Sequence, residues 1–214
     1  MSKDFESRHE AVVDASVEQV WEAIATGPGI TSWFVGRTRI EDGTVLTEFG
    51  DGWIPAGSVT VAEPPRRFAF GSEPAADGRF VANEFLVAGR AGAATVLKVV
   101  NSGFLPGEDW AGEYEAMRLG NAMFFASLVE YVTRFPGRVG VPVTAFGPPV
   151  ADWPAAWAAL RGRLGAAEVF FENEHTLGLR TERGLYRYLR GFHGAMVVSH
   201  VLFEGDAEFP VEMG

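Results

Sequence analysis

The chain has 214 residues, 47% of them hydrophobic and 21% charged, with a formal net charge of −10 at pH 7. That composition is globular, with enough length for a sizeable core. An acidic chain without a basic block is poorly matched to nucleic acid or to an anionic membrane surface. The absence of cysteine excludes disulfides, thiolate nucleophiles, iron–sulfur clusters and cysteine zinc sites.

The opening residues, Met1 to Glu10, are too charged for a signal peptide. No uncharged, proline-free run reaches the roughly 18 residues needed to span a bilayer. A soluble, cytoplasmic protein with no membrane insertion is expected.

Residues 4–14 alternate as a strand, with Phe5, Ser7, His9, Ala11 and Val13 on one face. Ser16 and Gln19 then have capping-box spacing, ahead of a helix whose apolar face is Val17, Val20, Trp21 and Ile24. Gly27, Pro28 and Gly29 break it, and a short helix is predicted through Ile30, Trp33 and Phe34. Strands follow at 35–41 and 44–49 around Asp42-Gly43, at 55–63 and 66–71 around Pro64-Pro65, and at 79–88 and 93–101 around Gly89–Gly92. Short turns make these neighbours antiparallel.

A long helix is predicted from Glu108 to Phe135, roughly 40 Å of it. Trp110, Tyr114, Met117, Asn121, Phe124, Leu128 and Val132 recur at spacings of three and four. This face is apolar except at Asn121, so the helix must lie across a large apolar surface, and the sheet supplies one. Pro136-Gly137 ends it. Residues 138–150, rich in Pro, Gly and Val, read as a linker. Asp152 caps a further helix carrying Trp153, Trp157, Leu160 and Leu164, and strands are predicted at 167–173, 176–182, 185–190 and 195–204. The last is apolar on both faces and is expected to be covered on both sides.

The segments Val17–Ile24, Ile30–Phe34, Gly57–Phe70 and Thr95–Phe104, closed by Leu128–Val132, stand in an order that resembles the helix-grip superfamily of START-related (SRPBCC) domains. The branch they resemble most is the bacterial homologues of the heat-shock ATPase activator. The resemblance covers about residues 1–135. It implies an α+β helix-grip fold, with a curved antiparallel sheet wrapped around a long C-terminal helix and an apolar ligand cavity between them. Two features depart from the family pattern. Only Trp110 and Gly120-Asn121 stand where members carry a tryptophan-rich stretch leading to Gly-Trp, and the chain beyond 138 exceeds the usual core. The expected organisation is a helix-grip domain at 1–137 and an α+β helix-and-strands extension at 138–214 packed on it.

On this scheme Trp33, Phe34, Trp53, Phe85, Phe104, Trp110, Tyr114 and Met117 are candidates for the wall of the cavity, or ordinary core. Asn121 is either a polar contact to a ligand or an amide paired with a strand backbone group or a water. Gly50, Gly52 and Gly57 around Trp53 and Pro55 suit a loop over the cavity mouth. Glu84 and Lys98 are expected across from each other, as a cavity acid or base or as a surface ion pair.

Of the histidines, His9, His175, His193 and His200, only His175 has a neighbouring carboxylate at all suggestive of a metal, Glu172. On a strand those two side chains face opposite ways, and no metal site is expected. His200 reads as a satisfied core histidine. Neither a nucleophile elbow nor a phosphate-cradling glycine loop is present.

The function expected is therefore the binding of a small hydrophobic molecule without covalent chemistry, with no cofactor and no catalytic residues. An interaction module regulating a chaperone-type protein partner and a cyclase- or dehydratase-like enzyme using the same cavity remain alternatives. The apolar C-terminal strands are also compatible with a homodimer.

Overall fold

A computed structural model describes residues 3–50, 52–90, 94–107, 110–163, 167–191 and 194–203. Strand β1 (Lys3–Val13) leads into helices α1 (Val17–Ala25) and α2 (Gly27–Thr31). The box predicted at α1 forms: Gln19 N donates to Ser16 Oγ at 3.2 Å, and Ser16 N donates to Gln19 Oε1 at 2.9 Å. Seven strands follow: β2 (Thr38–Glu41), β3 (Thr44–Phe49), β4 (Gly52–Trp53), β5 (Gly57–Glu63), β6 (Arg67–Ser72), β7 (Phe80–Gly89) and β8 (Thr95–Leu105). Asp42 and Gly43 both take positive φ, 49° and 75°, the geometry that closes a two-residue hairpin between twisted strands.

These strands and β1 make an eight-stranded sheet in the order β1-β8-β7-β6-β5-β3-β2, with β4 paired to β3. Every pairing is antiparallel. Helix α3 (Trp110–Arg134) packs on β1, β8 and α1. The protein is thus α+β, built around a large antiparallel sheet with few helices.

The segment expected to be a linker contains strand β9 (Val141–Pro149). It is an edge strand of its sheet, paired with β13 (Ala195–Leu202). Edge strands tolerate proline because one side of the backbone has no ladder partner. Pro142, Pro148 and Pro149 therefore do not prevent pairing. Helix α4 (Trp153–Arg163) and strands β10 (Glu168–Glu172), β11 (Thr176–Thr181) and β12 (Gly184–Arg190) complete a second antiparallel sheet, ordered β10-β11-β12-β13-β9.

The second sheet is covered on both faces. Leu177, Leu179, Tyr186, Tyr188 and Val198 pack with Trp157 of α4. The alternate positions Leu185 and Val201, followed by Phe203, enter the core made by α1, α3 and the first sheet. Phe203 stacks on Phe135 at 4.2 Å and on Tyr131 at 5.8 Å between ring centroids. Helix α3 also contacts β10 and β11, and Glu130 on it pairs with Arg180 on β11 at 2.8 Å. Among the described residues no helix is long and apolar enough to cross a membrane.

This shared core makes a prediction. A chain truncated after Gly137 loses the Leu185, Val201 and Phe203 side chains and bares aromatic surface on α3. Its thermal midpoint should fall by many degrees and it should aggregate on size-exclusion chromatography. A soluble monomer with unchanged melting would refute the packing argument.

Candidate functional site: a cavity between sheet and helix

A cavity of about 350 Å³ lies between the first sheet, the residues after α2, and α3. The sheet dictates which strand residues reach it. In β8 the buried positions Leu97, Val99, Asn101, Gly103 and Leu105 alternate with outward ones, and register places Asn83 and Phe85 of β7 beside Asn101 and Val99. Phe85, Val99, Asn83 and Asn101 all line the cavity. From the opposite side α3 contributes Met117, Asn121, Phe124 and Leu128, at the three- and four-residue spacing of one helix face.

Trp33 and Phe34 also line the cavity. Trp33 is fixed by its indole Nε1, which donates to the Ala23 carbonyl at 2.9 Å, and its ring meets Phe85 edge-on at 6.1 Å. Phe34 meets Phe124 in a T-shaped contact at 4.9 Å. The backbone of this pair is held from the second sheet. Arg187 on β12 is fully buried, at 0% exposure, and its guanidinium donates to the Trp33 carbonyl. It also donates to the Phe34 carbonyl at 2.7 Å, the Ser199 carbonyl at 2.5 Å and the Ser199 hydroxyl at 3.1 Å. Its Cζ lies over the Phe124 ring, 5.4 Å from the centre. Burial pushes Arg187 down to about 9, which still leaves it charged at neutral pH.

His200 is the next group in this network. Its Nδ1 accepts the backbone N–H of Arg187 at 3.1 Å, and its ring sits edge-on between Tyr186 and Tyr188 at 5.1 and 5.0 Å. Burial, reinforced by the Arg187 charge, lowers it to about 3, so it is neutral at pH 7.

Of the residues expected on the wall, Trp33, Phe34, Phe85, Met117 and Asn121 line the cavity. The side chains of Trp53 and Trp110 lie outside those described, as does His193. Phe104 and Tyr114 are elsewhere. Phe104 has the strand parity of the outward face of β8, where its ring packs over Gly78, and Tyr114 packs on Phe5 at 5.8 Å. Glu84 and Lys98 do not face each other. The β7–β8 register is offset, so Glu84 opposes Val100 and Lys98 opposes Leu86. Each pairs on the outer face, Glu84 with Arg67 at 2.6 Å and Lys98 with Glu10 at 2.8 Å.

Glu172 is engaged by Arg161, and no group of three or more potential metal ligands stands among the described residues. His9 stacks on Phe125 at 5.3 Å, with its Nε2 buried and unpaired. Burial first, and then Arg118, lowers its affinity for a proton.

Sequence reasoning missed Asn83, Asn101 and Arg187. The first two were within reach: each stands two residues from an apolar position of the same strand face, and the antiparallel β7–β8 pairing sets them side by side. Arg187 carries no such signal, because a lone arginine in a strand ordinarily points to solvent.

No family model matches the chain, and no curated protein does. Solved structures match in fold. SA2116 of Staphylococcus aureus, a protein of unknown function, is 14% identical over 61% of this chain and 94% of its own, with a TM-score of 0.50. The Aha1 dimer of Colwellia psychrerythraea is 18% identical over 60% and 96%, with a TM-score of 0.48. DynU16, from the dynemicin biosynthetic locus, is 21% identical over 91% and 86%, also at 0.48. At these identities the likeness is one of fold alone.

Two predictions concern the Arg187 network. Arg187→Leu strands the Trp33, Phe34 and Ser199 carbonyls in a dry interior, and urea unfolding should show a loss of about 3 kcal/mol or more. Arg187→Lys should recover only part, since an ammonium lacks the planar fork of donors. A loss below about 1 kcal/mol for the leucine variant would refute the role.

His200 binds a proton less readily when folded, near 3 against 6.5 unfolded, so below 6.5 the unfolded state holds more protons. Stability from this group is complete above pH 6.5 and falls as pH drops towards 3. The thermal midpoint of His200→Gln should therefore decline less steeply between pH 6.5 and 4 than that of the parent. Parallel declines would overturn the assignment.

Proposed function

We propose that the chain is a helix-grip protein, with residues 1–137 forming the ligand-binding unit and 138–214 an extension packed on it. Its function on this reading is to bind a small, mainly apolar molecule in the cavity between sheet and helix, without covalent chemistry. The observation that carries the reading is a cavity of about 350 Å³ in the place where a solid core would otherwise stand. A volume of that order lies within the range of small-molecule sites. Protein interiors are close-packed, and empty space of this size costs stability unless something fills it. The walls are aromatic and aliphatic, from Trp33, Phe34, Phe70, Phe85, Phe124 and Leu128, which suits contact with an apolar body. The cavity is not sealed: exposed Glu73 and Ala75 lie at its rim, so a ligand can enter.

Native mass spectrometry of gently purified protein tests this directly. A mass excess that disappears on denaturation is expected, and its value reports the chemical class of the bound molecule. The control is Val99→Phe, which puts a ring into the cavity from the centre of β8. It should fold at a cost of about 1–3 kcal/mol and carry no excess mass. A folded Val99→Phe that retains the same adduct would place the ligand elsewhere and end the cavity reading.

A further inference from the structure

Asn83 and Asn101 are direct cross-strand partners on the cavity face of β7 and β8. Both line the cavity, and Asn101 is only 7% exposed. Asn101 Nδ2 donates to Asn83 Oδ1 at 2.8 Å. Each amide carries two donor hydrogens and an acceptor oxygen, so this one bond leaves much unused. The oxygen of Asn101 and the NH2 of Asn83 have no other hydrogen bond among the described residues. Neither atom is sealed within packed side chains. Exchanging oxygen and nitrogen in both amides reverses the bond and leaves the same pattern, one free acceptor beside one free donor.

The setting makes the pair distinctive. Above it on the same face are Val99 and Phe85, and Phe70 is the partner of Asn83 on β6. Across the cavity Asn121 on α3 also has an amide with no hydrogen bond among the described residues. All three groups are neutral. Two charged residues also line the cavity, exposed Glu73 and half-buried Arg79, and Arg79 stands 3.8 Å from the Asp77 carboxylate.

Accepting the cavity as a ligand site, we infer that the Asn83–Asn101 pair selects ligands whose buried end carries a neutral donor beside a neutral acceptor. Carboxamides, lactams, imides and hydroxy-ketones have that edge. The reason is desolvation. Water in the free cavity can satisfy both amides, and a ligand that displaces it must reproduce those bonds or lose affinity. A hydrocarbon end leaves two buried amide groups bare, whereas a complementary edge restores both bonds. Asn121 stands ready to meet a second polar atom from the helix side.

The test uses three probes of one shape on the full chain, measured by equilibrium dialysis: 2-naphthamide, 2-acetylnaphthalene and 2-isopropenylnaphthalene. They present a donor and an acceptor, an acceptor alone, and neither. The expected order of affinity follows that sequence, with the amide bound on the order of tenfold or more tighter than the hydrocarbon. The double variant Asn83→Leu/Asn101→Leu removes both partners together and should bring that ratio to about one. Equal binding of the three probes to the parent chain, or a ratio that survives in the double variant, overturns the selectivity and leaves the cavity reading intact. Should the double variant not fold, the three-probe ranking on the parent chain decides alone. Binding of none of them removes the cavity reading and the selectivity with it.

Discussion

A buried guanidinium that has no carboxylate partner among the described residues organises this molecule. Removing an ion from water is costly, and the cost is tolerable only where geometry is good and most of its donors are used. Arg187 meets that condition with backbone carbonyls in place of a counter-charge. It takes the carbonyls of Trp33, Phe34 and Ser199, adds the Ser199 hydroxyl, and rests on the face of Phe124. Only arginine presents a rigid fork of donors that can reach several carbonyls at once. These acceptors lie on two structures far apart in sequence: the segment after α2, and β13 of the second sheet. The Trp33–Phe34 part of the cavity wall is therefore held by a residue more than 150 positions away.

That link gives the second sheet a role beyond enlarging the core. Helix α3 is gripped from two sides, by β1 and β8 of the first sheet and by β10 and β11 of the second. Ser32 adds a third tie, its hydroxyl accepting the Gly140 N–H at 2.9 Å while Tyr131 donates to the Arg138 carbonyl at 2.9 Å. A long helix packed on a single sheet could rock and change the cavity between them. One clamped on both sides, at its C-terminal half and at the Phe34 contact, presents Phe124 and Leu128 in fixed positions. Pre-set walls favour affinity, because less ordering is left to occur on binding.

Much of this was legible in the sequence, for reasons that differ by element. Alternation predicted β1, the Asp42-Gly43 pair predicted the β2–β3 hairpin, and the Ser16–Gln19 spacing predicted the cap of α1, since each is a local rule with a local cause. The apolar stripe of α3, broken only at Asn121, marked the helix face that reaches the cavity. Reading failed where the deciding term was not local. Proline content made 138–150 resemble a linker, although an edge position lets those prolines remain in a strand. Phe104 was a candidate for wall or core because aromatic character says nothing about which face of a strand a residue occupies; a shift of one residue reverses it. Arg187 was invisible because its acceptors are carbonyls, and any sequence has those.

The polar groups of the interior divide into two kinds, and the division separates scaffold from site. Thr31 and Ser32 have their hydroxyls bonded within the protein, the Arg187 guanidinium spends four hydrogen bonds there, and His200 Nδ1 accepts the Arg187 backbone N–H. Such groups specify one arrangement of the packed core and have little left to offer a ligand. Asn83, Asn101 and Asn121 lie on the cavity wall with bonding capacity unspent. An apolar cavity needs no amides to be stable, and leucine in all three places would pack as well or better. Polar groups that leave much of their bonding capacity unused and face an apolar space are intelligible as recognition elements. On the proposed reading, the same physics that makes Arg187 a fastener makes the asparagine pair a reader of whatever enters.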